Sequence, residues 1–306
     1  MIITIGLCTY KRPNMLDNTI KSISKLSLPI DAKISLCIID NDEKCSAQYV
    51  IEKWNKLLSM KIIYVVEKNL GIAYARNKAL FIASKKKTDL MLFIDDDEIV
   101  EPSWLNAHIE YYKKNNVDVV LGPVESILPT QVPKWIVFGE FFKIKKLSEN
   151  TICKDGATGN VLFNFNKLYH DYELRFNTTL KSREDNDFFM RASIKGAKIL
   201  WTNTAIVYED IPMSRLNTKW LIQRTYKSGE AYAKREVYRL GYFIGYMVLT
   251  LKIIYRVLKG ILIFPLFFLG KYSYLVKSAQ EFSIAMGIMG GVFGSNYDDY
   301  KFIHGK

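Results

Sequence analysis

Residues Leu90–Glu98 read LMLFIDDDE, five apolar side chains running directly into four carboxylates. The apolar run has the length of a buried strand and is short for a helix. In an open α/β sheet the acids would then sit at the strand's carboxyl end, where such sheets bind ligands. Four adjacent carboxylates repel one another unless a cation or a donor-rich ligand meets them. Hard divalent ions such as Mg²⁺ or Mn²⁺ take oxygen ligands, often one or two carboxylates plus substrate phosphates. The plain structural alternative is a solvated acidic turn, and the neighbouring stretches argue against it.

Working outward from that stretch, Ile2–Leu7, Ile34–Ile39 and Ile62–Val66 are further short β-rich runs. Helical patterns separate them. One spans Met15–Lys25, with Asn14 as a cap after Pro13; a second spans Ser46–Met60; a third follows Asn69-Leu70-Gly71 and carries Ala73, Ala75, Arg76, Asn77, Leu80 and Phe81. Strand and helix alternate four times in the first hundred residues, which predicts an α/β fold with a mostly parallel sheet and helices on both faces. Polar groups then gather at one sheet edge: Thr9 after the first strand, Asp40 and Asp42 after the second, Asp95–Glu98 after the fourth. Neither GxGxxG nor GxxxxGK[ST] is present, which disfavours the usual dinucleotide site and a P-loop.

Later stretches extend the pattern. Val119–Val124 reads as a strand, the prolines near 123–133 break regular structure, and Pro133–Lys146 reads as a flap. Arg183-Glu184-Asp185 precedes a helix closed by Gly196, so two carboxylates stand at a helix start, where the dipole favours them whatever else they do. Ala197–Trp201 is a last strand, followed by AIVYED at 205–210.

The chain has 306 residues, 49% of them hydrophobic and 24% charged, an ordinary globular balance. Its net charge is +12, and residues 211–280 contribute twelve Lys/Arg against two Glu, so 12 − 2 = +10 of it lies there. Four cysteines without a CxxC pair and three histidines make a zinc site unexpected, and the cysteines read as buried thiols of a reducing compartment. Met1–Leu7 is apolar, but Lys11 and Arg12 follow it rather than precede it, so it reads as a strand and not as a signal peptide.

Six ordered motifs resemble those of a known family: TYKRP at 9–13, IDND at 39–42, NLGIAYARN at 69–77, FIDDDE at 93–98, DGATGNVLF at 155–163 and REDNDFFMRASIKGAKILW at 183–201. Over about residues 1–225 the chain resembles a family 2 glycosyltransferase of the GT-A fold, of the kind that builds bacterial polysaccharide and lipopolysaccharide. The resemblance implies a nucleotide-sugar donor, UDP-linked foremost, bound through Thr9, Tyr10, Arg12, Asp40, Asp42, Arg76, Asp95, Asp96, Gly159 and Asn160. It maps a metal-binding DxD onto Asp95 and Asp97, with Mn²⁺ or Mg²⁺ as the ion; Asp96 would point the other way if the segment stayed extended. Many relatives place a His near position 209; this chain has Glu209, which can also ligate a hard cation. Asp185 would be the general base of an inverting transfer and Glu184 its helper. Gln223-Arg224 lacks the QxxRW of processive synthases, so transfer of one sugar to a glycan, lipid-linked or lipopolysaccharide acceptor is expected.

The expected organisation is a catalytic domain over 1–225, divided into a donor half (1–124) and an acceptor half (125–225), then a basic, apolar helical region over 226–306. Lys252, Arg256 and Lys259 recur at steps of four and three, one face of a helix, amid uncharged runs at 240–251 and 260–270. A basic face beside an apolar one suits an anionic membrane surface, through residues 240–277, at the cytoplasmic face of the membrane. Long aliphatic runs between the cations favour lipid over nucleic acid as the partner. Two other functions compete with transfer: a nucleotidyltransferase, which needs a Gly-rich triphosphate loop that Thr9–Asn14 lacks, and a non-enzymatic membrane scaffold.

Overall fold

The computed structural model describes residues 1–143, 147–180 and 182–293. In chain order the elements are β1 (Ile2–Thr9), α1 (Pro13–Ile23), β2 (Lys33–Asp40), α2 (Gln48–Trp54), β3 (Lys61–Val66), α3 (Ile72–Lys85), β4 (Leu90–Asp95), β5 (Glu98–Val100), α4 (Trp104–Asn115), β6 (Val119–Leu121), β7 (Val124–Ile127), α5 (Lys134–Gly139), β8 (Asn160–Asn164), α6 (Glu184–Ile194), β9 (Ile199–Trp201), β10 (Val207–Asp210), α7 (Thr218–Ile263) and α8 (Tyr272–Val292). Pro13, rather than Asn14, opens α1; with no N–H to satisfy and its φ already fixed, proline suits a first helical position. Gly71 enters α3 at φ +146, a conformation that demands glycine.

The chain forms two compact units: residues 1–127 with 147–210, and residues 128–143 with 211–293. The boundary expected at 225 lies inside α7, and residues 128–143 belong with the C-terminal helices.

In the first unit seven strands run in the order β3-β2-β1-β4-β8-β6-β9. All neighbours are parallel except β8, which is antiparallel to β4 and β6. Both faces are covered, so these strands are apolar on both sides. Leu90, Leu92 and Ile94 pack on one face with Leu16, Ile20 and Trp104; Met91 and Phe93 pack on the other with Ala79, Phe188 and Phe189. The chain leaves β1 toward β2 on one side and returns to β4 on the other. The loops after β1 and β4 therefore part at a topological switch point, where a crevice opens. A second sheet, β5-β10-β7, sits beyond the end of β4, and pairs Glu209 with Glu98 in register. Cys8 and Cys37 are buried as expected, whereas Cys45 and Cys153 are half-buried; all four are free thiols.

The second unit is helical. α5 places Ile136 in a small core with Phe142, Ile211, Leu216, Leu221 and Val276, so the segment expected as a flap is packed over 134–142; residues 144–146 of that expectation lie outside the described residues. α7 breaks at Gly241 (φ +74). Gly245 then approaches Val237, so the two parts of α7 fold against each other. α8 packs on both, with Ser283 donating to the Ile222 carbonyl and Ser278 to the Gly260 carbonyl. The basic face expected from Lys252, Arg256 and Lys259 is turned inward. Arg256 and Lys259 close on Glu281 of α8 at 2.7 and 2.6 Å, and Lys252 lies half-buried against the Tyr232 and Tyr255 rings. Residues 294–306 of the expected C-terminal region lie outside the described residues.

Candidate active site

β4 ends at Asp95, and Asp96-Asp97 form a two-residue turn into β5. The turn breaks the alternation an extended chain would impose. Asp96 reaches back to the loop after β1, accepting from Thr9 Oγ1 at 2.7 Å and from Arg12 Nη1 at 3.1 Å, while its carbonyl accepts from Thr19 Oγ1 at 2.9 Å. The same Arg12 nitrogen meets Asp97 Oδ2 at 3.2 Å. Asp96 therefore ties the first and fourth loops together. Burial pushes its carboxyl up to about 7, Arg12 opposes that, and Asp97 adds to it.

Asp95 stays on the open side of the turn, with its side chain 44% exposed. Its N–H donates to Glu98 Oε2 at 2.9 Å, and Glu98 is buried, its carboxyl raised chiefly by that burial. Glu98 carried no assigned role in the sequence. Its period-2 relation to Asp96 was visible, but the turn that brings it under Asp95 was not. Gly159 is what lets Glu98 sit there: a Cβ at 159 would lie 2.5 Å from Glu98 Oε1 and 3.4 Å from Asp95 Oδ2.

Across the crevice, α6 begins with Glu184 and Asp185. Glu184 is buried and forms a close ion pair with Arg76, whose other nitrogen meets Asp95 Oδ1 at 3.3 Å. Arg76, expected to reach the donor, is thus buried as a bridge between α6 and the end of β4, lying 5.8 Å over the Phe176 ring. Burial lifts the Glu184 carboxyl to about 7 against the pull of Arg76. Asp185 is the half-buried member. Its Oδ1 accepts from the Asn186 N–H at 2.7 Å and its Oδ2 from the Thr158 N–H at 3.4 Å. Asn186 Nδ2 donates to the Gly156 carbonyl, holding the 156–159 loop to the helix start.

Two residues expected to bind donor are occupied within the fold. Asp40 is fully buried. Its carboxylate accepts from the Asp42 and Ala47 N–H groups at 3.0 and 2.9 Å and from Tyr64 Oη at 2.8 Å, which leaves it fastening its own loop. Asn160 is also buried: its Oδ1 accepts from Trp104 Nε1 and His108 Nε2, both at 2.8 Å, and its Nδ2 donates to the Pro123 and Ala205 carbonyls. Asp42 is buried beside the loop it opens, with Oδ1 3.2 Å from the Lys44 N–H; Tyr10, half-buried, carries Lys11 Nζ 4.8 Å above its ring. Asn41, which sequence reasoning passed over, links the end of β2 to the entry of α3 by donating to the Glu67 and Asn69 carbonyls and accepting from the Gly71 N–H.

Among the described residues no three His, Cys, Asp or Glu side chains form a ready-made metal cage, in contrast to the set Asp95, Asp97 and Glu209 expected from sequence. Negative charge nevertheless accumulates. The Asp95 carboxyl, though open on one side, is raised by the partial loss of water around it, with Arg76 opposing and Asp97, Asp185 and Glu209 all adding to the rise.

A parallel sheet with one reversed strand, and carboxylates gathered at its switch point, fit the architecture of a glycosyltransferase of the GT-A type. The chain belongs to glycosyl transferase family 2, whose family model matches residues 4–170. It is 29% identical over 235 residues to the succinoglycan biosynthesis protein ExoM of Rhizobium meliloti (strain 1021), covering 76% of this chain and 74% of ExoM. The fold is similar to the mannosyltransferase PcManGT from Pyrobaculum calidifontis in complex with GDP-Man and Mn²⁺, with a TM-score of 0.64 at 13% identity over 95% of this chain and 87% of that one. It is also similar to S. aureus TarS 1-349 in complex with UDP-GlcNAc, with a TM-score of 0.55 at 18% identity over 78% and 67%.

Proposed function

We propose that this glycosyltransferase moves a single sugar from a nucleoside-diphosphate sugar, a UDP-sugar foremost, to a hydroxyl of a glycan acceptor, lipid-linked or lipopolysaccharide, at the cytoplasmic face of the membrane, with inversion at the anomeric carbon. The observation that carries the reading is the half-buried Asp185 at the start of α6, in the same crevice as Asp95 and Asp97. The UDP-GlcNAc complex of TarS and the polysaccharide role in ExoM's name support the donor and acceptor classes.

The donor set fits a divalent cation. Asp95, Asp97 and Glu209 offer hard oxygens, and with Asp185 nearby the carboxylates outnumber the Arg12 and Arg76 guanidinium groups. Mg²⁺ commonly keeps only one or two protein carboxylates and completes its shell with water and phosphate, so a three-residue cage is not required. When bound at Asp97 and Asp95, with Glu209 beside them, Mn²⁺ or Mg²⁺ supplies Lewis-acid stabilisation of the charge on the departing diphosphate.

The protein's own groups supply the rest. Asp185 accepts the proton of the acceptor hydroxyl as that oxygen bonds to the anomeric carbon and the bond to the diphosphate breaks. The Thr158 and Asn186 N–H groups fix its carboxylate. Glu184 does not take the proton; paired with Arg76, it positions its neighbour. Arg12 places Asp97, and the Asp96–Thr9 bond sets the loop that carries Arg12.

The test is nucleoside-diphosphate release from a panel of UDP-, GDP-, CMP- and dTDP-sugars with Mn²⁺ or Mg²⁺. Metal-dependent turnover of one donor is expected, lost in D97A together with metal-dependent donor binding. In D185N, transfer is lost while donor binding is retained. A fully active D185N would remove Asp185 as the base; silence across the panel, with no nucleotide binding by calorimetry, would overturn the reading as a whole.

A further inference from the structure

Within the second unit, polarity is inverted from Gly241 onward. In the first part of α7, residues 218–240, charges recur along the helix: Lys219, Arg224, Lys227, Glu230, Lys234, Arg235, Glu236 and Arg239. From 241 to 270 every exposed position is uncharged. The three cations of this stretch, Lys252, Arg256 and Lys259, are only partly exposed and turned toward α8 and Tyr232. The outward face is made of large apolar side chains, with Phe243 85%, Leu262 75% and Phe268 76% exposed. Monomeric soluble proteins seldom expose a contiguous apolar patch beyond a few hundred Å², and a face this extensive marks an interaction surface.

Four features identify the occupant as lipid. A protein partner would ordinarily meet a polar rim, and the most exposed positions of this face are all uncharged, its three cations being engaged by Glu281 and by tyrosine rings. Arg256 and Lys259 are paired with Glu281 of α8, which lowers the cost of holding both cations beside an acyl layer. The one exposed hydroxyl of a small side chain, on Thr250, donates to the Tyr246 carbonyl within its own helix, as a lipid-facing hydroxyl must. The face is bracketed by a tyrosine and a cation at each end, Tyr238 with Arg239 and Tyr272 with Lys271, the residue types that sit at headgroup level. Helix packing agrees: a Cβ at Gly229 would lie 2.2 Å from the Ile284 carbonyl oxygen and one at Gly287 2.0 Å from that of Tyr226, so α7 and α8 approach at backbone distance, as small-residue contacts allow in membranes.

We infer that the outward face of residues 241–270 seats in the acyl layer of a phospholipid bilayer, by apolar insertion and not by attraction of a basic face to anionic headgroups. Among the described residues no helix is long and apolar enough to cross a membrane, so the segment enters one leaflet and leaves on the same side. The inference is independent of the reaction assigned above, because it uses only side chains of the second unit. It sharpens the membrane expectation by reversing its physical cause.

The test is flotation of the full chain with vesicles of phosphatidylcholine alone and of phosphatidylcholine with phosphatidylglycerol, each in 0.15 M and 1 M NaCl. Flotation with the uncharged vesicles that persists in 1 M NaCl is expected, together with at least a tenfold weakening in the double variant L258E/F268E. A second variant, L262W, keeps an apolar side chain; its fluorescence should be quenched by bromine-labelled acyl chains. Flotation that requires the anionic lipid and reverses in salt would overturn the inference. So would binding unchanged in L258E/F268E, an unquenched L262W, or absence of flotation with a concentration-dependent dimer in sedimentation, which would give the face to a second copy of the chain.

Discussion

Removing the Arg76 guanidinium should cost much of the first unit's stability, and the cost should depend on pH in a definite direction. Arg76 is 6% exposed and Glu184 3%, and Arg76 also holds Asp95. Breaking a buried pair by deleting one partner leaves an uncompensated charge and costs about 3–5 kcal/mol. For a unit of this size each kcal/mol moves Tm by about 2–4 °C, so R76A should melt about 6–20 °C lower. Glu184 already titrates near 7, above its ordinary range, because burial outweighs the guanidinium. Without Arg76 its carboxyl rises further. A carboxyl raised in the folded state binds its proton more readily there than in the unfolded chain. Its contribution to stability is therefore full below the unfolded value and is lost as pH climbs through the folded one. R76A should lie close to wild type at pH 5 and far below it at pH 8. The assay is urea unfolding followed by tryptophan fluorescence at both pH values, in R76A, E184Q and R76A/E184Q. The double variant should recover much of the loss at pH 8, since a neutral amide needs no counterion. A loss under about 1 kcal/mol that ignores pH, with no recovery in the double variant, would refute the buried bridge.

Other expectations follow from the same geometry. His108 is fully buried beside Asn160 and burial lowers it to about 4, so stability should fall as pH drops from about 6.5 toward 4; thermal melts should show that slope flattened in H108Q. N160D keeps the shape of the side chain but turns a donor to two carbonyls into an acceptor, and should lose about 3 kcal/mol or more in denaturant titration. G159A forces Glu98 or the 156–159 loop to move and should lower kcat at least tenfold while the far-ultraviolet circular dichroism stays as in wild type.

The sheet was legible because its determinants are local. Four apolar runs at regular spacing, each followed by polar punctuation, became β1 to β4, and the run at 90–94 carried its carboxylates to the switch point as expected. The boundaries of later elements were less so: Val119–Val124 is two short strands in different sheets, because Gly122 and Pro123 fall between them. Side-chain roles at the site depended on partners far along the chain. Asn160 follows a run of small residues and read as a donor contact, yet it opens β8, and Trp104 and His108, 56 and 52 residues earlier, make it a packing hub. Asp40 ends a strand at the expected edge, but Tyr64 and the Ala47 N–H claim both sides of its carboxylate.

The C-terminal helices show the same division most sharply. Spacing of four and three correctly placed Lys252, Arg256 and Lys259 on one helical face. Periodicity says which residues share a face but not which way the face looks, and the direction was decided by Glu281, 22 residues beyond Lys259 and 25 beyond Arg256. Once that carboxylate is on α8, turning the cations outward would strand it in the helix packing. The lower-energy arrangement turns the cations in and the leucines, isoleucines and phenylalanines out. A basic amphipathic stretch in sequence thus becomes an uncharged surface in the fold, and the physics of its partner changes from screened attraction, which salt abolishes, to apolar burial, which salt does not.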